Sequence, residues 1–294
     1  MFFEQNYIDE YSAKFSSGFI YSYKTLLQKY TNENLIFNGL KICCGINIGD
    51  EYLETSFKKL KESINKDDGI YDLACVFDKS FDQLPKNTLI RNMVAFIIVE
   101  KGECKLLPNT FSINLICARL PGKGGLLFGL YIYTLINNDA VTNKQGILEL
   151  ANAYFNIGGL CLYTKFGFQI DETLYGANCF GDYNNLPMLL NIDDYGSTKD
   201  EQNDRLSDIM LHGRNAFAKN ILCNIRDREI QQLAGLLHNF KTFIKYLDGN
   251  PDISYYIIPD RECPEGIINF TKLNDYLNLD IVKTDLINDK CLYI

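Results

Sequence analysis

The strongest constraint on what this chain can fold into is one junction near its middle. A short apolar run at residues 113–118 opens into Arg119-Leu120-Pro121-Gly122-Lys123-Gly124-Gly125. A second apolar run with helical spacing follows: Leu126, Leu127, Leu130, Tyr131, Thr134 and Leu135. A buried strand that turns through glycines into a buried helix requires a sheet with helices packed on it. The same junction suits an anion. The first turn of a helix has N–H groups without intrahelical acceptors and carries partial positive charge, and glycines let a phosphate approach the backbone. Gly122, Gly124 and Gly125 fit that need, and Lys123 adds a cation. Two better-known phosphate motifs are excluded. A P-loop has Gly-Lys-Ser/Thr, whereas Gly124 follows Lys123 here. A dinucleotide fingerprint has a third glycine where Leu127 stands.

Around this junction the pattern predicts a mixed α/β fold. Residues 21–30 read as helix. Residues 35–48, apolar and rich in isoleucine, read as a strand leading to a helix start at Asp50. Tyr52, Phe57, Leu60 and Ile64 then mark an amphipathic helix. Residues 71–77, 93–100 and 111–118 are compact apolar runs, read as buried strands. Residues 146–150 form a short strand and 153–165 a helix with Gly167 as its left-handed stop. Residues 168–171 and 188–192 are the last strands of this block. The polar stretch 194–203 reads as a linker, with helical periodicity over 206–225 and 229–247. The expected organisation is an N-terminal helical extension (1–34), a ligand-binding domain (35–193) and a mainly helical C-terminal extension (194–294).

Composition narrows the function. At 47% hydrophobic residues the chain can build a packed core, and a net charge of −8 argues against nucleic acid or an anionic membrane as partner, since both need a basic face. A cationic substrate is compatible with it. Cys43, Cys44, Cys75, Cys117, Cys161 and Cys223 sit in apolar runs, where a thiol behaves as a small core residue, so they are expected to be free in a reducing, cytoplasmic setting. With only His212 and His238, and no Cys-x-x-Cys pair, no metal site is expected. The N-terminus has no signal-peptide layout, Asn269-Phe270-Thr271 reads as a chance sequon, and the longest apolar stretch is too short to span a bilayer.

Downstream of the glycine loop stand Asn156, Gly159, Tyr163, Gly167 and Phe168. Asn156 and Tyr163 are two helical turns apart and share a face, with Gly159 leaving room between them. Taken with Arg119-x-x-Gly122-x-Gly124, this pattern resembles the two halves of the coenzyme A site in the GCN5-related N-acetyltransferase (GNAT) superfamily. The resemblance is strongest over residues 93–193. Pro121, which lacks a backbone donor, and the short spacing before Arg119 depart from the family pattern.

The resemblance implies a splayed, mixed sheet flanked by helices and direct transfer of an acetyl group from acetyl-CoA to a primary amine, small or protein-borne. It implies that Leu115, Ile116 and Cys117 pair with the pantetheine arm through their backbone. Arg119, Gly122, Lys123, Gly124 and Gly125 would cradle the pyrophosphate, and Asn156 would contact the arm. Tyr163 would protonate the leaving thiolate as general acid. For the general base, Glu149 is the first candidate and Glu100 the second, with a water relay through Ser112 or Asn114 as a further route. Two other readings stand beside this one. The first is a catalytically idle GNAT fold that serves as a CoA-binding or interaction module. The second is a cysteine hydrolase using His212 or His238, which has no recognisable motif. The C-terminal extension is expected to shape the substrate groove or to form a homodimer contact.

Overall fold

In a computed structural model of the chain, the residues described are 1–16, 18–30, 33–44, 50–80, 83, 89–102, 107–150, 162, 163, 166–170, 174 and 186–212. The chain forms two compact units, residues 1–147 with 192–211 and residues 148–191 with 212–294. The described elements run α1 (Gln5–Phe15), β1 (Phe19–Ser22), α2 (Tyr23–Lys29), α3 (Glu33–Cys44), α4 (Asp50–Lys66), β2 (Tyr71–Phe77), α5 (Leu89–Asn92), β3 (Met93–Lys101), β4 (Phe111–Ala118), α6 (Lys123–Asn137), β5 (Gln145–Leu150), β6 (Gln169–Ile170), β7 (Leu186–Asn191) and α7 (Lys199–His212).

The first unit is a mixed α/β body built on a mostly antiparallel open sheet. Its strands lie in chain order, β1-β2-β3-β4-β5. The pairs β1/β2, β2/β3 and β3/β4 are antiparallel. Every residue of β2 is buried, as are Met93–Val99 of β3. That is why these strands read as continuous apolar runs, since a sheet covered on both faces has no polar side. On one face Leu26 of α2, Ile36 and Leu40 of α3, and Leu53, Phe57 and Leu60 of α4 pack with Leu73, Cys75, Phe96, Ile98 and Leu115. Elsewhere in the unit Phe2, Phe3, Phe111 and Tyr131 form an aromatic group. In the second unit β6 and β7 pair antiparallel.

Three expectations are corrected. Residues 35–44 are helix α3, not strand. The buried residues Ile36, Gly39, Leu40, Cys43 and Cys44 repeat at helical spacing, and the isoleucine content disguises that period. A short strand, β1, precedes α2 and pairs with β2. The stretch expected as a linker holds a single 3-10 turn, Ile192–Tyr195, and the start of α7, with Tyr195 buried.

Cys44 and Cys117, expected as thiols, are joined in a disulfide that closes a sequence separation of 73 residues. Helix α3 ends over β4 and brings the two Cα atoms to 5.2 Å, within the range a disulfide requires. Apolar flanks cannot report such a tertiary approach, and the pairing removes two of the thiols on which the expectation of a reducing compartment rested. Cys43 and Cys75 are free and buried.

Candidate functional site

The glycine junction forms as its sequence requires. Gly122 caps α6 in the left-handed region at φ 76°, and a side chain there would meet nothing within 4 Å, so the cap is open. The first i→i−4 bond of α6 runs from the Leu126 N–H to the Gly122 carbonyl at 3.0 Å. The amides of Gly124 and Gly125 precede it and have no intrahelical acceptor. Pro121 offers no donor. The helix is 15 residues long and ends with its core fully buried, so its N-terminal partial charge is held in a fixed place.

Of the two cations expected at this loop, Arg119 is exposed and Lys123 half-buried, and both rest on neighbouring backbone. The Arg119 guanidinium donates to the Arg91 carbonyl, while the Arg119 N–H bonds the Val94 carbonyl at 2.9 Å and extends the β3/β4 ladder. The Lys123 ammonium lies against Gly18, where a Cβ would meet Nζ at 3.4 Å. The backbone amides of Gly124 and Gly125 are presented to an anion beside one exposed and one half-buried cation.

Along β4 the side chains of Leu115 and Cys117 are buried in the α3/α4 core, and Ile116 is half-buried. Glu149 falls on β5, with its side chain outside the described residues. Asn156 and Gly159 also lie outside them. Tyr163 belongs to the second unit and is buried, like Phe166 and Phe168. Gly167 has φ 83°, and the Phe168 N–H returns to the Tyr163 carbonyl at 3.0 Å, the left-handed helix exit read from the sequence.

Sequence reading does not assemble a polar cluster that stands at the middle of β4. Ile98 faces Leu115 and Val99 faces Ile113, so Asn114 has no partner on β3 and forms a β-bulge. The bulge sends two successive side chains to the α3/α4 side. Leu115 enters the core, and Asn114 accepts at Oδ1 from the Ser56 hydroxyl of α4 at 2.9 Å. Asn114 Nδ2 donates to Glu100 Oε2 at 3.0 Å, and the Tyr52 hydroxyl donates to the Asn114 carbonyl at 3.3 Å. Glu100 sits between Tyr71 of β2 and Ser112 of β4 in the ladder. Burial first, and then the Glu100 carboxylate beside it, push the Tyr71 hydroxyl far above its ordinary range. That hydroxyl makes no hydrogen bond of good geometry. The signal available in the sequence is the single Glu at the end of an otherwise apolar strand; the bulge depends on two strands at once and leaves none.

Thiol chemistry is disfavoured at the described cysteines. Burial pushes Cys43 up to about 12, with the Arg119 charge pulling the other way, and burial raises Cys75 as well, so neither is a thiolate at neutral pH. Among the described residues no group of three or more His, Cys, Asp and Glu could hold a metal, and no helix is long and apolar enough to cross a membrane. No family model, curated protein or solved structure matches this chain.

Proposed function

We propose that this protein is an acetyl-CoA-dependent N-acetyltransferase of GNAT type acting on a primary amine. The observation that carries the reading is the open left-handed Gly122 cap, followed by the amides of Gly124 and Gly125, which lack an intrahelical acceptor, at the start of a buried 15-residue helix. The loop follows directly on β4, which carries a bulge five residues before Arg119. Five strand residues span about 17 Å, a run along which an extended pantetheine arm can lie with its pyrophosphate on the loop. The amine nitrogen would attack the thioester carbonyl carbon, the C–S bond would break, and the thiolate would take up a proton. The sequence resemblance assigns that last role to Tyr163. The amine must first lose a proton of its own to a base.

A second reading is favoured by one observation: the Arg119 guanidinium is engaged on the Arg91 carbonyl and the Lys123 ammonium lies against Gly18. A loop whose cations already rest on neighbouring backbone binds a pyrophosphate less tightly, as in an idle CoA-binding or interaction module. One experiment separates the two. The protein is titrated calorimetrically with acetyl-CoA, with dephospho-CoA and pantetheine as controls, and thiol release is then followed with an amine panel. Saturable, phosphate-dependent binding with turnover supports the enzyme. Binding without turnover supports a CoA-binding module, and no binding at millimolar acetyl-CoA sinks the enzyme reading and leaves an interaction module.

A further inference from the structure

Glu100 is a half-buried carboxylate without an ion-pair partner among the described residues. Asn114 holds one of its oxygens and is itself held by Ser56, so the carboxylate is fixed in direction by a hydrogen-bonded chain leading back to α4. The Tyr71 ring forms one wall. Tyr52, half exposed, stands at the rim on the Asn114 carbonyl. A fixed carboxylate beside aromatic rings is a receptor for an alkylammonium group, which gains a charge-assisted hydrogen bond and a cation–π contact together. The protein supplies its own sample of that chemistry. The Lys59 ammonium of α4 rests over the Tyr71 ring at 5.6 Å, yet makes no ion pair with Glu100.

We propose that Glu100, oriented by Asn114 at the β4 bulge and flanked by Tyr71 and Tyr52, binds the ammonium group of a primary alkylamine, which on the acetyltransferase reading is the acceptor. The site lies in the first unit, on β3 and on β4, the strand that leads into the glycine loop. It makes Glu100, rather than Glu149, the group that holds the acceptor and takes its proton before attack. Tyr71 from β2 and Ser112 and Asn114 from β4 stand beside Glu100, while from α4 Tyr52 and Ser56 bond Asn114 and Lys59 lies over Tyr71. Lys59 is the single cation among them, and it is an exposed competitor for the same place.

The test uses the full chain with 1,4-diaminobutane as the probe and butane-1,4-diol as the uncharged control, read by calorimetry or ligand-observed NMR. Glu100→Gln keeps the Asn114 hydrogen bond and removes the charge, and is expected to weaken diamine binding by about tenfold or more, the weight of one charge-assisted hydrogen bond. Lys59→Ala removes the competitor at an exposed position and is expected to tighten binding about two- to fivefold. This second variant carries the test even if Glu100→Gln folds poorly. A merely structural role for the cluster leaves Lys59→Ala without effect. The idea is overturned if wild type does not bind the diamine at millimolar concentration, if the diol binds equally well, or if both variants bind as wild type does. Acetyl-CoA affinity is measured on the same samples and should not change in Glu100→Gln. Diamine binding that depends on Glu100 in a protein that does not bind acetyl-CoA would sustain the ammonium site and sink the acetyltransferase reading.

Discussion

Asp72 gives the most direct test of the energetics of this fold. It lies on β2, is fully buried, and accepts the Phe3 N–H at 2.7 Å and the Leu73 N–H at 2.8 Å. Burial raises its pKa from 3.8 to about 6, although those amides and the positive charge of the amino terminus pull it back. The direction is opposite to that of a salt-bridged carboxylate. Below pH 3.8 the group is protonated in both folded and unfolded chains and contributes nothing. As pH rises, the unfolded chain ionises first while the folded one holds its proton, so stability falls until the folded group also ionises near pH 6. A rise of that size corresponds to about 3 kcal/mol lost across the window. Asp72→Asn cannot ionise, keeps one accepting oxygen, and leaves one of the two amides unsatisfied at a pH-independent cost of about 1–3 kcal/mol. Urea unfolding of both proteins should be followed between about pH 4 and about pH 7. Tyrosine is the reporter, since the chain has 19 Tyr and no Trp. The stability of wild type relative to the variant should fall by about 2.4 kcal/mol over the range. A difference that stays constant, or that grows with pH, would refute the reasoning.

Two further predictions rest on packing and covalent structure. At Gly129 of α6 a Cβ would meet the Tyr11 hydroxyl and, at 2.5 Å, Met210 Sδ. Gly129→Ala should therefore destabilise by about 1–2 kcal/mol, overpacking outweighing the helix-propensity gain; a higher melting temperature would contradict that close approach. Reduction, or Cys44→Ser with Cys117→Ser, opens a closed segment of 73 residues and should cost about 4 kcal/mol on the chain-entropy account. A melting curve unchanged by reductant would show that the disulfide does not form in solution.

Some parts of this molecule are legible in its sequence and others are silent, for physical reasons. Strands β2 and β3 and helix α6 from Leu126 onward are visible because they are buried almost throughout, and β4 because alternate residues are, so that burial writes a continuous or periodic apolar pattern. Helix α3 reads as strand because Ile36, Ile42 and two adjacent cysteines mimic a buried strand, although its buried positions keep helical spacing. Strand β1 has only four residues and runs straight into α2, whose cap is its last residue, Ser22. At the candidate site the glycine loop can be read from residue types alone, because φ at Gly122 is a local property. The contacts of Arg119 with Arg91 and of Lys123 with Gly18, the bulge at Asn114 and the disulfide are relations between distant segments. Nothing within reach of a sequence window encodes them.

The first unit is discontinuous along the chain, and this bears on how it is made. Residues 192–211 return to it after a gap: Asn203 and Asn137 exchange side-chain hydrogen bonds at 3.0 Å, and Lys199 pairs with Asp139 at 2.6 Å. The Tyr11 hydroxyl reaches Met210 across 199 positions of sequence. The entropy of closing so long a loop grows only slowly with its length, but its closing must wait in time. A nascent chain that has emerged through α6 contains β1–β4 and the glycine junction while the flank at Gly129 still lacks Met210. During synthesis that apolar flank faces water until α7 arrives, an interval in which self-association competes with completion of the fold.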